Sequence, residues 1–105
     1  MSIAELMTAI SAELDNAPVA YSHFTKPVKP PYLVYLGAGQ EQFEADDTIY
    51  WRRNVYTIEY YFEHKDETKE TSIENLILSA GFQYDKSDDT YIQDEGLFVI
   101  YYNLQ

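Results

Sequence analysis

The sequence has 105 residues, enough for one domain with a modest core and too few for a large enclosed active site. Its 18 acidic and 7 basic residues give a formal charge of -11, a balance that nucleic-acid backbones and anionic membrane surfaces repel. It has no cysteine, which excludes a disulfide framework and a thiolate metal site, and its 46% hydrophobic content sets it apart from disordered chains.

Eleven tyrosines, five phenylalanines and one tryptophan make the sequence 16% aromatic. Such residues favour strands and are enriched at the cores of protein interfaces. So small a domain cannot hide eleven tyrosines, and several are expected to be half-exposed or covered by a partner. No basic and apolar leader opens the sequence, and no run approaches the roughly 20 apolar residues that span a bilayer. A cytoplasmic protein is expected.

Ser2 and Glu5 have the spacing of a capping box, which predicts a helix starting at Ile3. Ile3, Leu6, Met7, Ile10 and Leu14 give it one apolar stripe, and it should end near Asp15-Asn16, before Pro18. Residues 17–31 hold four prolines and read as a connector. Tyr32 to Leu36 reads as a strand ended by Gly37-Ala38-Gly39, and the acidic stretch 40–47 as a loop or a hairpin arm, spanning about 38–48 overall.

Thr48 to Trp51 resumes extended structure. Val55 to Glu63 is the clearest strand, with Tyr56, Ile58, Tyr60 and Phe62 on one face. After the turn His64-Lys65-Asp66, Asp66 is placed to cap a second helix with Ile73, Leu76, Ile77 and Ala80 as its stripe and Gly81 just past its end. Residues 82–86, 90–93 and 97–104 read as strands. The last of these is apolar on both faces and is expected at the centre of the sheet or under a partner. The expected fold is a single α+β domain over residues 1–105 in the order α-β-β-β-α-β-β. It has an antiparallel or mixed sheet of four to five strands, with both helices on one face.

No cluster carries evident catalytic chemistry. His23 and His64 sit alone in turns without a second ligand at metal spacing, and read as surface histidines. Asp46-Asp47 and Asp88-Asp89 are neighbours in turns, a poor arrangement for paired catalytic carboxylates. Asp85, Asp88 and Asp89 lack the glycine and closing glutamate of a calcium loop. Phosphate-loop, nucleophile-elbow and metalloprotease motifs are missing. The sequence therefore predicts a protein that is not an enzyme and uses no cofactor or metal.

Arg52 and Arg53 stand out where cations are scarce, next to Trp51 and behind the acidic stretch. They can pair with that stretch within the chain. Alternatively, Glu41, Glu44, Asp46 and Asp47 of one subunit can pair with Arg52 and Arg53 of the next. A contact of the second kind is heterologous and closes rings. Glu41, Glu44, Asp46, Asp47, Trp51, Arg52 and Arg53 are thus the candidate subunit-interface residues.

A wider pattern runs from about residue 3 to residue 104. The short first helix is followed by Pro18-Val19-Ala20-Tyr21-Ser22-His23-Phe24, then Pro30-Pro31-Tyr32-Leu33-Val34-Tyr35, then Ala45-Asp46-Asp47 and Tyr50. Tyr56-x-Ile58-Glu59-Tyr60-Tyr61, the Lys65-Asp66 turn, Ile73-Glu74 and the strands from Tyr84 to Tyr102 complete it. In order and spacing this resembles the small tail-completion or tail-terminator (head–tail joining) proteins of long-tailed phages and prophages. The resemblance implies a sheet with two helices on one side and a ring of six subunits at the head-proximal end of the tail tube. It also implies the tail tube protein and the head connector protein as partners, and a location in the virion after assembly in the host cytoplasm. It brings no catalytic residues.

Two alternatives stay open: another head–tail connector component, or an acidic DNA-mimic inhibitor. The inhibitor would need carboxylates spaced like phosphates along one face, whereas the acids here cluster at 41–47, 85–89 and 94–95. Direct nucleic-acid binding is not expected.

Overall fold

The structure is a computed structural model that describes the backbone of residues 1–46 and 48–105, and their side chains except those of 43, 45, 49 and 50. Its N-terminal cap is reciprocal: Ser2 Oγ accepts from the Glu5 backbone N–H at 3.1 Å, and Glu5 Oε1 accepts from the Ser2 N–H at 3.2 Å. Behind that cap, helix α1 runs Ile3–Glu13 and buries Leu6, Met7 and Ile10. It stops where Asp15 and Asn16 both turn to positive φ, 57° and 61°. That conformation is open to asparagine and aspartate at modest cost.

Helix α2 runs Glu67–Ser79 and is capped by Asp66, whose carboxylate accepts from the Thr68 and Lys69 N–H groups at 3.1 and 3.2 Å. Its other end closes on Gly81, at φ 89°. The Gly81 N–H bonds to Leu78 O at 3.0 Å and the Phe82 N–H to Ile77 O at 3.3 Å, the two bonds of a Schellman motif. Gly81 is placed as expected. Residues 82 and 83, expected in a strand, belong instead to this helix exit and to a short pairing with Gln105.

The strands are β1 (Val19–Tyr21), β2 (Tyr32–Ala45), β3 (Thr48–Phe62), β4 (Tyr84–Lys86), β5 (Thr90–Ile92) and β6 (Leu97–Leu104). They form one mixed sheet in the order β1-β2-β3-β6-β4, with β5 also on β6. As its two-sided apolar sequence predicts, β6 is central. β3 flanks it on one side, and β4 and β5 share the other.

Both helices cover one face of this sheet. Leu6, Ile10 and Leu14 of the first segment and Ile73 and Ile77 of α2 form one core with Leu33, Ile58, Tyr60, Phe62, Ile100 and Tyr102. Every one of these is at most 2% exposed. Each aliphatic member contributes about 1.5–3 kcal/mol relative to an exposed position. The α+β class, the two helices and their common face match the expectation. Among the described residues no helix is long and apolar enough to cross a membrane.

Three local expectations change. The connector 17–31 contributes β1, which pairs in parallel with β2 by matching Val19 to Leu33 and Tyr21 to Tyr35. The sheet therefore has six strands rather than four to five. The Gly37-Ala38-Gly39 segment does not end its strand. It forms a bulge, where Gly39 takes φ 101° and the register steps between Gly37 and Gln40. Past that bulge, residues 40–45 are strand and not loop. The hairpin form of the expectation holds and the loop form does not: a run of Glu and Gln has weak strand propensity, and cross-strand pairing with β3 supplies what propensity lacks.

Candidate functional site

Residues 40–54 form a two-stranded ribbon that leaves the sheet. Its register pairs Gln40 with Asn54, Glu41 with Arg53, Gln42 with Arg52, Phe43 with Trp51 and Ala45 with Thr48. Neither β1 nor β6 pairs with this stretch, since β1 stops at Tyr35 on one edge and β6 at Thr57 on the other. At about 3.4 Å per residue the ribbon extends about 20 Å beyond the body. The molecule measures 51 × 25 × 25 Å, and its radius of gyration is 14.9 Å where a compact chain of this size has about 13 Å. The ribbon is therefore an arm. Its tip turns at Asp46, φ 51°, while Asp47, the other tip residue among the interface candidates, lies outside the described residues.

The arm is fastened at its root by Arg53. One guanidinium nitrogen, Nη1, donates to Gly81 O at 2.7 Å, and Nη2 donates to Gln105 O. The Nε faces Glu41 Oε2 at 3.6 Å. The guanidinium carbon lies 4.5 Å from the Phe82 ring centroid and 5.6 Å from that of Trp51. Helix geometry makes this clamp possible, because the Schellman exit of α2 presents both Gly81 O and the Phe82 ring. A two-stranded ribbon alone is marginal in water, and the clamp ties it to the folded body.

The within-chain alternative thus holds for Glu41 and Arg53. Arg52 projects from the opposite face of the ribbon, exposed, and makes no ion pair among the described residues. Trp51 is 47% exposed although it is the largest side chain in the sequence. Glu44 and Asp46 are exposed on the acidic strand and tip.

At the far end of the same two strands lies a groove of about 810 Å³ on the sheet face away from the helices. Tyr32 and Tyr61 stack there with ring centroids 4.7 Å apart, and Phe24 meets Tyr32 edge-on at 5.4 Å. Leu97 forms part of its apolar wall, and Glu63 and Glu95 stand exposed at its margin. Tyr61 donates to Glu59 Oε1 at 2.6 Å. Burial first, then that bond, raises its pKa. The connector 22–30 supplies the opposite wall.

A third constellation lies beneath α2. Glu70 is 1% exposed, an ionisable residue in the apolar stripe that also holds Ile73 and Ile77. Its carboxylate lies 2.8 Å from Lys65 Nζ and 2.9 Å from Lys86 Nζ. Lys86 reaches Glu74 at 2.8 Å as well, and Lys65 reaches Asp89 at 3.0 Å. Glu74 accepts from the Tyr102 hydroxyl at 2.8 Å. Burial works against the Lys86 ammonium, but the hydrogen bonds and charges of Glu74 and Glu70 outweigh it and raise its pKa. Lys65 is raised as well, chiefly by its hydrogen bond to Glu70. Burial and then Glu74 push the Tyr102 hydroxyl far above an ordinary phenol. Burial, with the Glu70 charge behind it, takes Tyr60 up to about 12.

This constellation joins α2 to β4 and β6, and so fixes the helix against the sheet. The spacing 70-73-77 is a usable sign that Glu70 faces inward. Its partner Lys86 lies 16 residues on, where no local pattern points to it.

Of the three acids set against a calcium loop, Asp89 is engaged with Lys65 and Asp85 with the Gln105 side-chain amide. Among the described residues no group of three or more metal-ligating side chains converges. No protein-family model matches the chain, and no curated protein matches it.

Proposed function

We propose that this protein is a structural component of a phage or prophage virion, one that assembles through its arm into a ring and caps or completes the tail tube where it meets the head connector. The observation that carries this reading is the arm: a ribbon about 20 Å long, clamped by Arg53 at its root, with Trp51 and Arg52 held out to solvent. Tryptophan and arginine, presented here on opposite faces of the ribbon, are among the residue types that dominate protein contacts. The family pattern along residues 3–104 supplies the assembly, and the charge agrees with it. Six copies at -11 each carry about -66, and such a wall repels the phosphates of DNA passing through it.

The inhibitor reading draws less from the molecule. Glu41, Glu70, Glu74 and Asp89 are all engaged with cations of the same chain, so these acids do not form a free row of phosphate-like charges. Electron microscopy of the purified protein mixed with tail tubes tests the proposal. Rings with a central opening, seated at one end of the tube, are expected. A protein that decorates no tube end under any condition, and that competes with DNA for a nucleic-acid-binding protein, would overturn it.

A further inference from the structure

We infer that the arm of one copy docks in the aromatic groove of the next, so that the chain associates head to tail. This inference rests on the ring reading above and names the surface the arm meets. The arm and the groove belong to the same two strands and lie at their opposite ends. The tip is at Ala45 and Thr48, and the groove is at Tyr32 and Tyr61. The 14 residues of β2, at about 3.4 Å each, span nearly the whole 51 Å long axis. A chain therefore cannot place its arm in its own groove.

The two surfaces are complementary in kind. The arm offers a half-exposed indole on one face, Trp51, and an unpaired guanidinium on the other, Arg52, so a groove that takes the ribbon edge-on meets both. The groove offers the aromatic walls of Phe24, Tyr32 and Tyr61, with Glu63 and Glu95 exposed at its margin. Neither glutamate has a cation partner among the described residues. Lys26 is the groove's own cation and leaves the two carboxylates in excess. An indole suits an aromatic-walled groove, and the guanidinium suits its acidic margin. Because donor and acceptor differ, the contact is heterologous. It closes a ring if the rotation per subunit divides the circle and otherwise runs on as a filament.

Two variants test this by light scattering at increasing concentration. Trp51→Ala/Arg52→Ala removes the arm's contacts and keeps the groove. Glu63→Lys/Glu95→Lys spoils the groove and keeps the arm. All four positions are exposed, so both variants should keep the circular dichroism and melting temperature of the parent. The wild-type chain is expected to form oligomers that weaken with salt. Each variant alone should lose self-association by about 30-fold or more, the loss typical of a hot-spot residue. An equimolar mixture should then stop at a dimer, because only one sound arm meets one sound groove. Oligomers that survive both variants, or variants that do not pair when mixed, overturn the docking and leave the ring standing through another surface. A wild type that stays monomeric to about 1 mM overturns self-docking. If that chain also fails to seat on tail tubes, the ring reading falls with it.

Discussion

Replacing Lys86 by Met probes the ion network under α2 most directly. The methionine keeps the aliphatic stem and removes the ammonium that lies 2.9 Å from Glu70 and 2.8 Å from Glu74. Removing one partner of a buried pair costs about 3–5 kcal/mol, because the charge left behind is neither hydrated nor neutralised. The lower end applies here, since the Lys86 side chain is 33% exposed and Lys65 remains on Glu70. At about 2.1 cal/mol/K of unfolding entropy per residue, a loss of about 3 kcal/mol lowers the melting temperature of this chain by about 14 °C. Calorimetry at pH 7 reads it. Adding Glu74→Gln to Lys86→Met should recover part of the loss, because the second orphaned charge goes too. A drop of under 4 °C for the single variant, or a double variant that loses the sum of the two singles, would refute the reasoning and mean that the network is hydrated.

Three further outcomes follow from the same geometry. Tyr102→Phe removes a buried hydroxyl that donates to a charged carboxylate, and should cost about 1.5–3 kcal/mol in denaturant unfolding with an unchanged m-value. Stability should fall as pH rises above about 10. An unfolded tyrosine ionises there while Tyr60, raised to about 12, and Tyr102, raised as well, keep their protons, so the unfolded state binds fewer protons. These two groups alone contribute a slope of about 2.7 kcal/mol per pH unit, the raised Tyr61, Lys65 and Lys86 steepen it, and Tyr60→Phe should reduce it. Arg53→Ala should leave the core intact and loosen the arm, so that amide exchange rises selectively over 40–54 and not at β6.

The parts of the fold legible in the sequence are those where local chemistry and burial agree. The Ser2–Glu5 cap, the Asp66 cap and Gly81 are set within a few residues of themselves, and each stands where spacing puts it. The alternation of Tyr56, Ile58, Tyr60 and Phe62 gives the right face because one side of β3 is sealed by the helices. What stayed hidden is what tertiary pairing decides. The strand at 19–21 is three residues long and is held only by its parallel partner. The stretch 40–45 is strand because β3 continues opposite it, while the glycines just before it look like a stop and act as a bulge. Among the candidate interface residues, proximity along the chain brought Arg52 and Arg53 together, but a strand sends neighbours to opposite faces. Arg53 is turned to the body and Arg52 to solvent. The groove is not legible in the sequence because its residues come from four separated segments.

The centre of this sheet is filled by its last strand. β6 enters between β3 and the pair β4 and β5, and it is the element that joins them. During synthesis, then, the β2–β3 hairpin and both helices can emerge complete while β3 still has a bare inner edge of backbone groups along Thr57 to Phe62. Nothing earlier in the chain pairs with that edge, and it stays open until residue 104 has left the ribosome. A nascent chain in that condition carries a sticky template for other strands. The rate at which the protein appears in soluble form should therefore depend on how fast β6 is delivered, and holding chaperones should act on chains that stop before about residue 97 far more than on chains that include β6.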